Sequence, residues 1–166
     1  MRVANIHASC VVLRGAGTAF GAPEDAGVLI LGATGSGKSD LALRLIERGA
    51  ALVADDRVEL FVRDEQLWCR APPNLTGLLE VRGVGIVSLS AFSEVAVALA
   101  VEAVAPDAVT RLPQTEQFCP PRQLALAPHL RPTLIRIVST EASAPAKAMV
   151  AAAAAAHALF RDGRKP

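Results

Sequence analysis

Apolar positions recur along the chain at distinct spacings, and each spacing predicts an element. Short unbroken runs predict buried strands: Val28–Leu31 lies between Gly27 and Gly32, and Ala51–Ala54 ends in the acidic pair Asp55 and Asp56. Leu41, Ala42, Leu45 and Ile46 fall at helical spacing and predict a helix over 39–48, with Gly49 as its left-handed stop. Val58, Leu60 and Val62 alternate with polar or large residues, and Asp64–Gln66 turn the chain into Leu67–Cys69, the pattern of a hairpin. The opening ten residues or so read as one strand with Val11–Leu13 apolar beyond it, and the Gly- and Pro-containing stretch 14–27 reads as a loop. Pro72 and Pro73 break the pattern before 78–86, where apolar residues flank a charged pair and two glycines. Segments 95–104 and 134–138 read as further strands. A last helix is predicted to begin near Ser143 or Pro145 and to run through an alanine tract to about Arg161, with Gly163 beyond it. The small side chains of that tract predict close packing and nothing more.

The candidate chemistry starts where the strand 28–31 meets the helix. Gly32, Ala33, Thr34, Gly35, Ser36, Gly37, Lys38 and Ser39 satisfy G-x-x-x-x-G-K-[ST] in the strand–loop–helix setting that the motif requires. Glycines there let successive backbone N–H groups point at phosphate oxygens, and the helix N-terminus adds a favourable dipole. Lys38 is expected to bring positive charge to the outer phosphates, and the Ser39 hydroxyl to give Mg²⁺ one oxygen ligand. The fold class that follows is α/β, a P-loop kinase core with a central β-sheet flanked by helices.

A second cluster is needed to complete the metal site and position a nucleophile. If the strand ending in Asp55 neighbours the loop-bearing strand in a parallel sheet, both loops open on one crevice and the two carboxylates face the phosphates. Adjacent residues leaving a strand point in different directions, so Asp55 and Asp56 are expected to have different roles.

Composition narrows the rest. A chain of 166 residues is long enough for one ordinary domain and short for two, so residues 1–166 are expected to form a single catalytic domain. With 17 basic and 16 acidic residues scattered along it and no dense run of either sign, the chain is not expected to have nucleic acid or an anionic membrane as its main partner. Cys10, Cys69 and Cys119 are far apart and lack metal-ligand spacing, which reads as reduced thiols in a cytoplasmic protein. Neither a signal core nor a membrane-spanning run is read from the sequence.

His7, the P-loop, Leu52–Asp56, Leu79–Ile86 and Arg111–Pro113 together resemble the HPr kinase/phosphorylase family, which acts on a seryl residue of the phosphocarrier protein HPr. A P-loop followed by V-A-D-D and then E-x-R-G-x-G-I is far more specific than the loop alone. The resemblance implies ATP and Mg²⁺ as cofactors, phosphate binding by Lys38, Mg²⁺ binding by Ser39 and Glu80, and Asp56 as the general base. Asp55 is placed with Ser39 and Glu80 at the metal. His7 and Arg111 match further active-site positions, and Glu80–Ser88 matches the signature segment. A homohexamer is also implied, and His129 and His157 match nothing and are read as structural.

Against the resemblance, the sequence is expected to be a short form without the N-terminal regulatory domain of longer members and with an extra loop between His7 and Gly32. The Arg-Pro-Gly-Arg-Asn-like segment associated with dephosphorylation is not recognisable, and Ser143–Lys147 stands in its approximate place. Kinase activity on HPr or a similar carrier is thus better supported than phosphorolysis. The alternatives are a small-molecule P-loop kinase and a non-catalytic nucleotide-binding module.

Overall fold

The computed structural model describes residues 1–160. Among these, the strands are β1 (Val3–His7), β2 (Ser9–Val12), β3 (Gly27–Leu31), β4 (Ala51–Ala54), β5 (Arg57–Arg63), β6 (Gln66–Arg70), β7 (Leu78–Val81), β8 (Gly85–Ser88), β9 (Val95–Ala103), β10 (Glu116–Gln117) and β11 (Thr133–Ile137). The α-helices are α1 (Lys38–Glu47) and α2 (Ala144–Ala156).

Nine strands form one mixed sheet whose main path is β1-β5-β6-β9-β3-β2-β4, with β11 paired to β9 and β10 to β11. The long strand β9 joins its two parts: Val95 and Ala96 pair antiparallel with β6, while later residues pair parallel with β3 on one side and β11 on the other. The hairpin β7–β8 stands apart as a second, two-stranded sheet.

Alternation along the strands splits the core in two. Val11, Val28, Ile30, Leu99, Val101 and Ile137 point to the face covered by α1 and α2. Cys10, Val12, Leu29 and Val53 point the other way, where they meet Val58, Leu60, Leu67 and Cys69 of the β5–β6 hairpin together with Leu124 and Leu126. The α/β class holds, but both α-helices lie on one face and the opposite face is closed by strands and loop.

Three expectations about the elements are corrected. The opening strand is two strands: β1 pairs with β5, and after Ala8 the chain enters β2, which pairs with β3 and β4. Strands β3 and β4 are therefore not neighbours. The antiparallel β2 lies between them, which leaves β3 and β4 parallel to one another with their C-terminal ends on the same edge as the start of β2.

The last helix stops at Ala156 rather than near Arg161, and Arg161 and Gly163 lie outside the described residues. Ala158 takes a left-handed φ of 51°, and the Leu159 N–H bonds the Ala154 carbonyl at 2.8 Å, the six-to-one closure that ends a helix. His157 adds an anchor through a 2.9 Å contact between its Nε2 and the Gly21 carbonyl. Alanine gives no sequence signal for such a stop, because glycine is the residue expected there.

The alanine tract does what its composition suggests. Ala144, Ala148, Ala151, Ala152 and Ala153 are buried, and their small size brings α2 against β9, β11 and α1. No helix among the described residues is long and apolar enough to cross a membrane.

Leucine and alanine have nearly equal helix propensity, so a pair of substitutions isolates the packing. Ala152→Leu, at a fully buried position, is expected to destabilise the fold by about 1–3 kcal/mol in urea unfolding, the cost of overpacking a filled core. Ala156→Leu, at an exposed position on the same helix, is expected to change stability by less than about 0.5 kcal/mol.

Candidate active site

The loop between β3 and α1 is set by its glycines. Gly32 has φ 143°, and a Cβ there would lie 2.5 Å from the Ser36 hydroxyl and 2.9 Å from the Ala103 carbonyl. Gly37, with φ 89°, caps α1, and a Cβ on it would lie 2.7 Å from Ser139 Oγ. Both positions exclude other residues by backbone conformation and by contact together. The loop is buttressed from the far end of the chain: Ser139, buried after β11, donates its hydroxyl to the Ser36 carbonyl. Arg44 of α1 in turn donates to the carbonyls of Ser139 and, at 3.1 Å, Glu141.

Lys38 is buried, with its Nζ donating to the carbonyls of Gly32 and Ala33 at 2.9 Å each. Burial pushes its ammonium below the usual lysine range, and the negative charges of Asp55 and Asp56 work against that shift. Lys38 is thus clamped to its own loop, with one N–H left for an anion.

Asp55 is the most connected polar group of the site. It is only 4% exposed, and its carboxylate accepts hydrogen bonds from Ser9 Oγ at 2.6 Å, from Ser39 Oγ at 2.8 Å and from the Glu80 N–H at 3.3 Å. These donors come from the start of β2, the first turn of α1 and β7. A buried carboxylate requires this kind of satisfaction.

Asp56 points away and does something else. The Arg57 N–H bonds the Asp55 carbonyl at 2.8 Å, closing a γ-turn whose central residue, Asp56, has φ 65°. Positive φ at a non-glycine residue is sparsely populated and is held only where the surroundings over-determine it. Here His7 holds it: its Nδ1 lies 2.7 Å from the Asp56 carbonyl and 3.2 Å from Asp56 Oδ1. A carbonyl only accepts, so Nδ1 carries the proton. The Asp56 carboxylate itself is 62% exposed and open to a substrate.

The structure therefore brings His7, Asp55, Asp56, Lys38 and Ser39 to one edge of the sheet, by way of β2 rather than by direct β3–β4 neighbourhood. Glu80 joins through its backbone, while its carboxylate is exposed on the β7–β8 hairpin. Arg111 is not brought in: it lies in the exposed stretch before β10, and no contact to the other candidates is seen among the described residues. Ser9, Ser139 and Arg44 were not foreseen. Each acts on a partner 46 to 103 residues away, and nothing local to a serine at a strand end marks it.

The residues present fit a Mg-nucleotide. Ser36 Oγ is buried without a hydrogen-bond partner among the described residues, as is His7 Nε2, and an unpaired buried hydroxyl beside a phosphate loop is a site for a polar ligand atom. Ser39 and Asp55 offer hard oxygen donors 2.8 Å apart, the ligand type that Mg²⁺ takes. Among the described residues all three cysteines are free, with Cys10 and Cys69 buried, and none enters the site.

The HPr Serine kinase C-terminal domain family matches residues 22–104, 83 of the 166 in the chain. HPr kinase/phosphorylase of Limosilactobacillus reuteri (strain DSM 20016) is 55% identical over 65 residues, 39% of this chain and 20% of that protein. The enzyme of the same name from Streptococcus mutans serotype c is 53% identical over 64 residues, 38% of this chain and 21% of that protein. The matched stretch thus spans about a fifth of these relatives. In fold, the chain is similar to the structure of the Hpr(Ser) kinase/phosphatase from Coxiella burnetii, with a TM-score of 0.70 over 94% of this chain and 91% of that one at 23% identity.

The two adjacent aspartates should separate in a stability measurement. Asp55→Asn places an amide NH₂ among three donors and is expected to cost about 1–3 kcal/mol in urea unfolding, the price of buried polar groups left unpaired. Asp56→Asn, exposed and at a φ that asparagine tolerates, is expected to shift stability by less than about 0.5 kcal/mol. Equal losses in the two variants would contradict the division of roles.

Proposed function

The chain belongs to the HPr serine kinase C-terminal domain family, and on that premise we propose that it is an ATP- and Mg²⁺-dependent protein-serine kinase acting on HPr or a similar phosphocarrier. The observation that carries this reading is the 2.8 Å bond from the P-loop hydroxyl of Ser39 to the buried Asp55, with the exposed carboxylate of Asp56 one residue further on. A phosphate cradle, a metal-side carboxylate and a free base thereby share one edge.

Bound Mg-ATP would supply the phosphoryl group and the counter-charge on its oxygens. The protein's part is positioning and proton transfer. Backbone N–H groups of the loop 32–37 other than that of Ser36, which bonds the Ala33 carbonyl, and the remaining Lys38 N–H would bind phosphate oxygens, while Ser39 and Asp55, with the Glu80 carboxylate from the β7–β8 hairpin, would hold the metal. Asp56 accepts the proton that the substrate's seryl hydroxyl loses as its oxygen becomes bonded to phosphorus. His7 donates Nδ1–H to Asp56, fixing the turn and the direction of the carboxylate. Arg111, matched to an active-site position by the family resemblance alone, is the candidate for positive charge toward the transferring group.

Residues 1–166 would act as one catalytic domain in the cytoplasm, assembled as a homohexamer. The family's arginine-rich segment is replaced by Ser143–Lys147, where α2 begins and Lys147 is paired with Glu141. No arginine stands there to bind a phosphorylated carrier.

Incubation with labelled ATP, Mg²⁺ and a panel of phosphocarriers and metabolites, followed by mapping of the label, tests the reading: label on a carrier serine is expected. Label on a metabolite would indicate a small-molecule kinase, and binding without turnover a regulatory module. Asp56→Asn is expected to bind Mg-ATP normally while losing transfer by on the order of a hundredfold or more, as when a general base is removed. A wild-type rate across a pH series would refute the base. Phosphorolysis of the phosphorylated carrier is expected to be weak, measured as pyrophosphate formed on adding phosphate, and robust pyrophosphate release would overturn that expectation.

A further inference from the structure

A cleft opens beside the phosphate loop, between the C-terminal end of β9 and the segment that follows β11. Its walls are Ala33 and Ser36 of the loop, Ala105 and Pro106 after β9, and Ser139 and Thr140 after β11. Ala33 and Ser36 also belong to the phosphate cradle, so the cleft and the cradle share a wall. The remaining lining residues, Ala103, Val104 and Val138, are aliphatic, and no charged side chain is among them.

The polar groups of the cleft are few and largely committed. The Val104 N–H bonds the Ile137 carbonyl at 3.0 Å, Pro106 has no N–H, and the Ser139 hydroxyl is held by the Ser36 carbonyl. Ser36 Oγ, where cleft and loop meet, is buried without a hydrogen-bond partner among the described residues. A mostly apolar slot beside a phosphate loop, with a hydroxyl in the shared wall, suits a flat, uncharged ring attached through a sugar to a phosphate chain.

We propose that this cleft holds the nucleobase of the nucleoside triphosphate, through apolar contact rather than base-specific hydrogen bonds, an inference that rests on the phosphate-loop reading above. A consequence is loose base selection. Guanine and adenine differ in their hydrogen-bonding edges, and a slot without an acidic or basic side chain rejects neither strongly, whereas a site that hydrogen-bonds its ligand discriminates by orders of magnitude.

Ala105 is the position at which to test it. Ala105 is exposed and has extended backbone at φ −69° and ψ 155°, which any residue before a proline adopts, so larger side chains there leave the core alone. Binding of Mg-ATP, Mg-GTP and Mg-tripolyphosphate is measured by calorimetry for the wild-type chain, Ala105→Leu and Ala105→Trp. The wild type is expected to bind ATP and GTP within about tenfold of each other. Nucleotide affinity is expected to fall stepwise from alanine to leucine to tryptophan, by about tenfold or more for tryptophan, while tripolyphosphate affinity stays unchanged.

Nucleotide affinity untouched by both substitutions, or lost in parallel with tripolyphosphate affinity, would overturn the cleft while leaving the phosphate loop in place. An ATP preference far above tenfold would overturn apolar selection. A wild-type chain that binds neither tripolyphosphate nor nucleotide would remove the phosphate-loop reading, and the cleft with it.

Discussion

The carboxylate of Asp55 sits where β4 ends, out of water, and accepts hydrogen bonds from Ser9, Ser39 and the Glu80 backbone. Each donor belongs to a different element, so one buried group fixes the start of β2, the first turn of α1 and the β7–β8 hairpin relative to β4. Burial makes this demanding, because a carboxylate short of partners is expensive in a low-dielectric setting. The same requirement makes the edge of the sheet rigid where a metal and phosphates would have to be held to within fractions of an ångström.

Asp56 depends on that anchor. With Asp55 fixed and β5 starting at Arg57, a single residue must reverse the chain, and it does so at a positive φ worth of order 1–3 kcal/mol in strain. His7 offsets part of that cost by donating to the Asp56 carbonyl from β1, directly across the ladder from Arg57. The outcome is a division between neighbours: one carboxylate inside and hydrogen-bonded from three elements, the other outside and exposed to solvent.

The second support comes from the C-terminal third. Ser139 and Arg44 tie the segment after β11 to the phosphate loop and to α1, and the alanine-rich α2 packs closely enough on β9 and β11 to keep that segment in place. The loop is therefore held from both sides, by Asp55 through Ser39 and by Ser139 through Ser36. The cleft that opens between these supports is bounded by the same segments.

How much of this was legible follows from how far each contact reaches along the chain. The phosphate loop, the helix after it and the β5–β6 hairpin depend on residues within a few positions of one another, such as Lys38 with Gly32 and Ala33, so glycine spacing and hydrophobic period determined them. The acidic pair was visible as well, and its two residues were expected to differ because consecutive side chains diverge. The insertion of β2 between β3 and β4, the roles of Ser9 and Ser139, the end of α2 at Ala156 and the separation of Arg111 from the other candidates were decided only in three dimensions. These depend on which distant segments pair across the sheet, and a pairing between strands far apart in sequence leaves no period or spacing in either segment alone.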